Sequence, residues 1–214
     1  MLDKTNAVPK RIFLARHGES LANQQKLISG QLDYPLTDKG KHQAQWLCDV
    51  LKDEKLSAIY TSSLTRAMET AKPTAEYHGI TIRSMDNLKE IHFGILQGQP
   101  SALADEDISH DKAQNIKCLT IPDSENTHAF ENRIVECLNR VLHNLQGAAL
   151  IVAHRNTNGV ILAKLLGLGS ADETAINVKN KYVYEIALGD TPAINTIRLG
   201  GEFHGKKFIG LKDE

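Results

Sequence analysis

Three short apolar segments, each ending at polar residues, constrain the fold of this chain more than any other feature. They lie at residues 11–15, 56–61 and 148–153. Apolar runs of this length are typical of strands that are covered on both faces, as the strands of a parallel sheet are. The segments between them have helical patterns, so strand and helix alternate. We therefore predict an α/β fold, a three-layer α/β/α sandwich with a mostly parallel central sheet.

Three helices are predicted between these strands. Thr37 can cap a helix that runs to about Leu51. Ser63 can cap a second helix, which contains Pro73 and is expected to kink or break there. The third has the clearest pattern, with apolar residues at helical spacing: Phe130, Ile134, Leu138, Val141 or Leu142, and Leu145.

The remaining predicted elements are one helix and three strands. The helix follows His154 and ends near Gly167. One strand is short, at residues 80–83. The other two, at 182–188 and 193–199, are separated by a turn, so we expect an antiparallel hairpin at the edge of the sheet.

The length of 214 residues suits one α/β unit. Since no repeat or linker divides the chain, we predict a single domain over residues 1–214. Residues 99–128 are polar and have no strong periodicity. A segment of this kind is typical of a functional insertion, and we expect it to be a lid or a specificity element.

Charge and composition exclude several classes of protein. The net charge is −1, so nothing favours a nucleic acid or an anionic membrane as partner, and any anion site must be a local cluster of cations. The three cysteines form no CxxC pair and have no metal-ligand spacing, which indicates thiols of a reducing compartment. No apolar run is long enough for a secretory signal or a membrane span, so we expect a cytoplasmic location.

Polar clusters follow the predicted strands, at the edge of the sheet where ligands bind in open α/β folds. Guanidinium groups pair bidentately with phosphate oxygens, and a neutral imidazole can attack phosphorus. A carboxylic acid nearby can protonate the leaving oxygen. The clusters therefore predict a phosphoryl-transfer site. They contribute Arg16, His17 and Gly18 after the first strand, Arg66 after the second, Glu90 after the short strand, and His154 with Arg155 after the third.

Several motifs resemble, in order, those of the histidine phosphatase superfamily, which includes the cofactor-dependent phosphoglycerate mutases. The resemblance covers roughly residues 11–160. It rests on the motifs RHGES at 16–20 with Asn23, GQLDYPLTDKG at 30–40, TSSLTRAMETA at 61–71, LKEIHFGILQG at 88–98, PDSEN at 122–126 with Phe130 and Arg133, and VAH at 152–154.

The resemblance implies a role for each matching residue. His17 would be the phosphorylated nucleophile, and Glu90 would be the proton donor. Three residues would hold the phosphoryl group, namely Arg16, Arg66 and His154, and Asn23 would touch it from the first loop. The family needs no metal, and we expect neither a metal ion nor a cofactor.

The chain departs from the family pattern at two places. Glycine usually follows the second histidine, whereas this chain has Arg155, which either contacts the substrate or points into solvent. The mutases usually have an arginine after the acid glutamate, a further arginine pair and a longer insertion before the second histidine. This chain has Ile91 and a shorter stretch. A mutase must hold its intermediate against water, so the missing arginines favour hydrolysis. His92 is a further candidate substrate contact.

The resulting hypothesis is a metal-independent phosphatase that hydrolyses a small phosphorylated substrate through a phosphohistidine on His17. One alternative is a phosphoglycerate-type mutase built on the same site. Another is a non-catalytic protein that senses phosphorylated ligands, although the complete set of site residues argues against it. A homodimer is possible if an exposed edge strand near residues 182–199 pairs between subunits.

Overall fold

A computed structural model describes residues 10–102, 121–168, 176 and 178–212. The strands are β1 (Arg11–Arg16), β2 (Leu56–Ser62), β3 (Ile82–Met85), β4 (Ala148–Ala153), β5 (Tyr182–Ala187), β6 (Ala193–Arg198) and β7 (Lys207–Ile209). The helices are α1 (Leu21–Gln24), α2 (Asp38–Leu51), α3 (Thr65–His78), α4 (Thr127–His143) and α5 (Arg155–Leu166), with 3₁₀ turns at Asp86–Leu88 and Gly94–Leu96. None of the helices in these ranges is long and apolar enough to cross a membrane.

The strands form one sheet in the order β3-β2-β4-β1-β5-β6-β7. The first four strands in this order pair in parallel with their neighbours. The pairs β1–β5, β5–β6 and β6–β7 are antiparallel. In the register between β1 and β4, Arg16 lies opposite Ala153. The residues that follow these two strands are therefore neighbours at one edge of the sheet.

Each face of the sheet is covered by helices, which confirms the predicted α/β/α sandwich. Side chains alternate along β1, so that Ile12 and Leu14 belong to one hydrophobic cluster and Phe13 and Ala15 to the other. The first cluster contains the apolar residues of α4 and α5, and the second contains those of α2 and α3. All six residues of β4 are buried, as expected for a strand with helices on both sides.

The helix ends follow local chemistry in most cases. The Thr37 side chain accepts a hydrogen bond from the N–H of Gly40 and caps α2, and Gly167 ends α5 in the left-handed conformation, both as predicted. The prediction for Ser63 is wrong. Its hydroxyl donates to Asp86, and α3 begins after Leu64 without a side-chain cap. Pro73 lies within α3, which continues past it.

The hairpin of β5 and β6 forms as predicted, but it does not lie at the edge of the sheet. Residues 207–209 pair with β6 and form the outermost strand, β7. This part of the C-terminal segment thus belongs to the sheet. The short strand β3 begins two residues later than predicted, at Ile82. Residues 103–120 of the predicted insertion lie outside the described residues.

Candidate active site

The register of the parallel strands brings His17 and His154 together. The backbone N–H of His17 donates to the carbonyl oxygen of Ala153 at 3.0 Å, which extends the pairing of β1 and β4 by one residue. The two imidazole centroids are 5.1 Å apart. Both side chains are buried, with exposed fractions of 3% and 0%.

The hydrogen bonding of His17 fixes its tautomer. Its Nδ1 lies 2.7 Å from the carbonyl oxygen of Gly18. A carbonyl can only accept, so Nδ1 carries the hydrogen and Nε2 keeps its lone pair. Burial lowers the pKa of His17 well below its usual value, and the charges of Arg66 and Arg16 lower it further. The imidazole is therefore neutral near pH 7, with a free lone pair on Nε2.

Close backbone packing holds the loop that carries His17. The N–H of Gly18 donates to Thr70 Oγ1 at 2.9 Å, and that hydroxyl donates to the carbonyl oxygen of Arg66 at 2.7 Å. A Cβ atom at position 18 would lie 2.5 Å from the carbonyl oxygen of Gly40. Only glycine fits this contact, because both sides of it are backbone. The loop is thus packed against the first turn of α2.

One buried and one half-buried arginine lie beside the histidines. Arg66 is 1% exposed, and its Nη1 and Nη2 donate to the carbonyl oxygens of Leu32 and Gly30, each at 2.7 Å. Arg16 donates from Nη1 to the carbonyl oxygen of Val178 at 3.3 Å. Within the described part of the chain, the Nε atoms of both arginines have no acceptor. An incoming phosphate would supply acceptors for buried donors of this kind.

Burial lowers the pKa values of both arginines, but both remain protonated at neutral pH. It lowers the pKa of Arg16 to about 10, while the Glu90 carboxylate raises it and Arg155 and Arg66 lower it. Burial also lowers the pKa of Arg66, against the raising effect of Glu90 and Asp33. A group with a pKa of about 10 remains protonated at neutral pH. Two fixed positive charges therefore lie at the site.

His154 is a buried polar side chain without hydrogen-bond partners in the described part of the chain. It is fully buried, and neither ring nitrogen has a hydrogen-bond partner among the described residues. Burial lowers its pKa well below the usual value, and the charges of Arg66, His17 and Arg16 lower it further. Unpaired polar atoms in the interior are costly. A phosphate oxygen that accepts the N–H of the neutral ring would reduce this cost.

The Glu90 carboxyl group lies at the first turn of α5. It is 7% exposed and accepts hydrogen bonds from the N–H of Asn156 at 3.2 Å and from the N–H of Ile91 at 3.0 Å. The Thr157 hydroxyl lies 3.4 Å from Oε1. The effect of Glu90 on the pKa values of Arg16 and Arg66 shows that the carboxylate is within electrostatic range of both.

Asn23 and His92 are engaged in local structure. Asn23 Oδ1 accepts a hydrogen bond from the N–H of Ser20 at 3.1 Å and closes a capping box at α1. The imidazole of His92 contacts the carbonyl oxygen of Asp123 at 3.0 Å and Gln97 Nε2 at 2.9 Å. These contacts make His92 part of a loop beyond Glu90 rather than a free side chain.

Arg155 is exposed at the first position of α5, directly after His154. Its charge contributes to lowering the pKa of Arg16, so it lies within electrostatic range of that guanidinium. The structure therefore places Arg155 at the rim of the site, as an accessible cation beside the buried ones.

Sequence reasoning missed several residues that support the site. Thr70 holds Gly18, Thr157 holds the Glu90 segment, and Gln31 Nε2 donates to the carbonyl oxygen of Glu90 at 3.1 Å. A polar residue on a helix or loop gives no sequence signal for such a distant partner. Arg133 lies in one of the motifs quoted above, but its contacts with the Glu90 segment are visible only in the fold.

A buried neutral imidazole between two arginines and a second histidine, with a carboxyl group nearby, is suited to accept and release a phosphoryl group. Among the described residues, no cluster of three His, Cys, Asp or Glu side chains could hold a metal ion. The sequence profile of the histidine phosphatase superfamily (branch 1) matches residues 12–195, and the chain belongs to that superfamily.

The similar proteins include some named as phosphatases and one named as a probable mutase. The probable phosphoglycerate mutase GpmB of Yersinia pestis is 29% identical over 186 residues, which cover 85% of this chain and 86% of that protein. The α-ribazole phosphatase of Shigella flexneri superposes with a TM-score of 0.74 at 25% identity, covering 94% of this chain and 99% of that one. A mycobacterial glucosyl-3-phosphoglycerate phosphatase has a TM-score of 0.71 at 26% identity, with coverages of 82% and 89%.

Proposed function

We propose that this protein is a phosphomonoesterase that needs no metal ion and works through a phosphohistidine on His17. The observation that carries the proposal is the tautomer of His17. Its Nδ1–H is bound to the carbonyl oxygen of Gly18, and burial keeps the ring neutral, so Nε2 holds an available lone pair. A nucleophile prepared in this way suits a two-step transfer.

In the first step, the lone pair of His17 Nε2 forms a bond to phosphorus while the bond from phosphorus to the ester oxygen breaks. The leaving oxygen takes the electron pair of that bond and a proton from the Glu90 carboxylic acid. In the second step, the Glu90 carboxylate takes a proton from water as the water oxygen bonds to phosphorus. The bond between nitrogen and phosphorus breaks, and inorganic phosphate leaves.

The fixed charges of Arg16 and Arg66 stabilise the equatorial oxygens in both steps, a role that magnesium has in many other phosphotransferases. His154 supplies a further contact through its unpaired ring nitrogens. Since both arginines donate to backbone carbonyls, little reorganisation of their guanidinium groups is needed when charge develops.

Arg155 suggests the class of substrate. The leaving oxygen must approach Glu90, whose carboxylate is bound by the N–H of Asn156. The exposed guanidinium of Arg155, one residue earlier, then lies beside the leaving group. We propose that the substrate carries a second anionic group near its phosphate. Two of the relatives are named for phosphoglycerate compounds, in which a carboxylate has this position.

A phosphoglycerate-type mutase is the second candidate, because one relative is named as a probable phosphoglycerate mutase. Such an enzyme differs only in the fate of the phosphohistidine, which passes its phosphoryl group to a second substrate oxygen. Product analysis with phosphoglycerate isomers separates the two. Interconversion of the isomers in excess over phosphate release would replace the phosphatase proposal.

The test of the proposal is phosphate release from a panel of phosphomonoesters in the presence of EDTA. We expect release by the wild type and loss in His17→Ala, whereas His128→Ala, which changes an exposed histidine of α4, should retain activity. Quenched turnover of a labelled ester should give an acid-labile phosphoenzyme that His17→Ala lacks. A folded protein that binds phosphate esters but neither releases phosphate nor interconverts phosphoglycerate isomers would instead indicate a sensor.

A further inference from the structure

Arg133 makes five side-chain hydrogen bonds close to the site. Neither the proposed reaction nor the family match assigns it a role. Arg133 lies on α4 and is mostly buried, with 19% of its side chain exposed. We propose that Arg133 is a positioning residue that sets the place of the Glu90 carboxyl group. The proposal rests on the assignment of Glu90 as the proton donor.

All five N–H groups of Arg133 are used. Nη1 donates to the carbonyl oxygens of Asn87 at 2.9 Å and Lys89 at 2.8 Å, and Nη2 donates to that of Glu90 at 3.0 Å. The remaining two donors bind the Glu125 carboxylate, with Nε at 2.6 Å from Oε1 and Nη2 at 2.8 Å from Oε2. One guanidinium thus binds three carbonyls of the segment that carries the acid.

This pattern separates Arg133 from the two arginines assigned to the phosphoryl group. Arg16 and Arg66 each leave an Nε donor without an acceptor in the described ranges, and such donors are available to a ligand. Arg133 has no donor left for a substrate. Its charge is balanced by a bidentate carboxylate, which fixes the plane of the guanidinium. Its function is therefore to hold protein groups and not to bind substrate.

Glu125 connects this arrangement to the loop beyond Glu90. Its carboxylate accepts the N–H of His92 at 3.2 Å, and its own N–H donates to the His92 carbonyl oxygen at 2.8 Å. Nearby, Phe93 and Ser124 form an isolated β-bridge. The backbone is consequently held on both sides of Glu90, by Arg133 before it and by Glu125 after it.

The other side of the carboxyl group meets α5. Thr157 Oγ1 donates to the Lys89 carbonyl oxygen at 3.0 Å, and the N–H of Asn156 donates to Glu90 Oε2 at 3.2 Å. The position of the acid thus depends on two elements, α4 through Arg133 and α5 through its first turn. Loss of the Arg133 contacts would let the segment at 87–90 shift, and proton transfer is sensitive to such a displacement.

The leaving-group dependence of the rate tests this inference. A dinitrophenolate leaves without a proton, whereas an alkoxide needs one, so a misplaced acid slows only the alkyl ester. We compare kcat/KM, which reports the phosphorylation step, for 2,4-dinitrophenyl phosphate and an alkyl phosphate. Arg133→Lys keeps the charge but offers three donors on one atom. Arg140→Met, an exposed arginine two turns further along α4, is the control.

We expect Arg133→Lys to lower kcat/KM for the alkyl ester about 100-fold and for the dinitrophenyl ester less than about tenfold, since general acid catalysis is worth roughly 10²–10⁴ in rate. Glu90→Gln should show the same selectivity, and Arg140→Met should show none. Equal losses for both esters, or no loss, would overturn the inference. If Arg133→Lys fails to fold, Glu125→Gln decides by the same comparison.

An error in the proposed function would give results that differ from those expected for an error in the role of Arg133. If wild-type protein shows no phosphate release, or if His17→Ala retains it, the reaction itself is wrongly assigned. If wild type shows His17-dependent phosphate release but Glu90→Gln slows both esters equally, the proton donor is another residue. Arg133 then cannot be the residue that positions the proton donor. Only the variants of Arg133 and Glu125 address the positioning role.

Discussion

The imidazoles of His17 and His154 lie with their centroids 5.1 Å apart and their planes tilted by 57°. Both rings are buried beside Arg16 and Arg66, and both have pKa values well below the usual 6.5, first because of burial and then because of the neighbouring positive charges. Two protonated rings at this distance from each other and from two arginines would repel strongly. The unliganded site therefore contains two neutral histidines, and this has measurable consequences.

The first prediction concerns the titration of His17. Because its pKa is lowered, the ring should stay neutral from pH 8 down to below pH 6.5 in the phosphate-free protein. The measurement is an NMR titration of the histidine ring signals, with His17→Asn used for assignment. The absence of substrate removes the ionisation of the phosphate ester from the result. A midpoint at or above 6.5 would contradict the electrostatic account of the site.

The second prediction concerns stability and His154. Its folded-state pKa lies below the unfolded value of 6.5, so the unfolded chain binds a proton that the folded chain excludes. Stability is then full above pH 6.5 and falls as the pH drops below it, by about 1.4 kcal/mol per pH unit for this group. Urea unfolding at pH 7.5 and 5.5 measures the loss. Between these two pH values, the free energy of unfolding of His154→Asn should fall by about 1.4 kcal/mol less than that of wild type. Equal decreases in the two proteins would refute the linkage.

The third prediction concerns the packing of the nucleophile loop. A Cβ at Gly40 would lie 2.1 Å from the carbonyl oxygen of Glu19, which is backbone and cannot move alone. Gly40→Ala should therefore displace the loop after His17, destabilise the fold by about 1–3 kcal/mol, and reduce phosphate release. Gly189→Ala is the control, since nothing lies within 4 Å of a Cβ there. Unfolding curves of equal midpoint for the two variants would show that the contact is not restrictive.

The fourth prediction concerns Arg155 and substrate choice. An exposed charge pair is worth up to about 1 kcal/mol, which is roughly fivefold in kcat/KM. Wild type should therefore prefer 3-phosphoglycerate over glycerol 3-phosphate, and Arg155→Gln should reduce that preference about fivefold. The control is Arg140→Gln, at an exposed position of α4. An unchanged ratio of kcat/KM values in Arg155→Gln would mean that the guanidinium does not meet the leaving group.

The buried strands and most helix boundaries could be predicted because they depend on local information. The strands β1, β2 and β4 are continuous apolar runs, and Thr37 and Gly167 mark helix ends by their own chemistry. The prediction for Ser63 failed because its hydroxyl has a distant competitor, Asp86, whose position depends on the path of the chain after β3. The edge of the sheet was misassigned because a three-residue strand such as β7 has too little pattern to be recognised.

The sequence by itself determined which residues could form the site, since polar side chains that directly follow buried parallel strands must lie at one edge of the sheet. Only the tertiary structure decided what each of them can do. The tautomer of His17 depends on one carbonyl oxygen, and the low pKa of His154 depends on complete burial beside distant arginines. The hydrogen bonds of the Arg133 guanidinium depend on carbonyl oxygens of a segment more than forty residues earlier. These properties arise from contacts between remote parts of the chain, which local sequence does not encode.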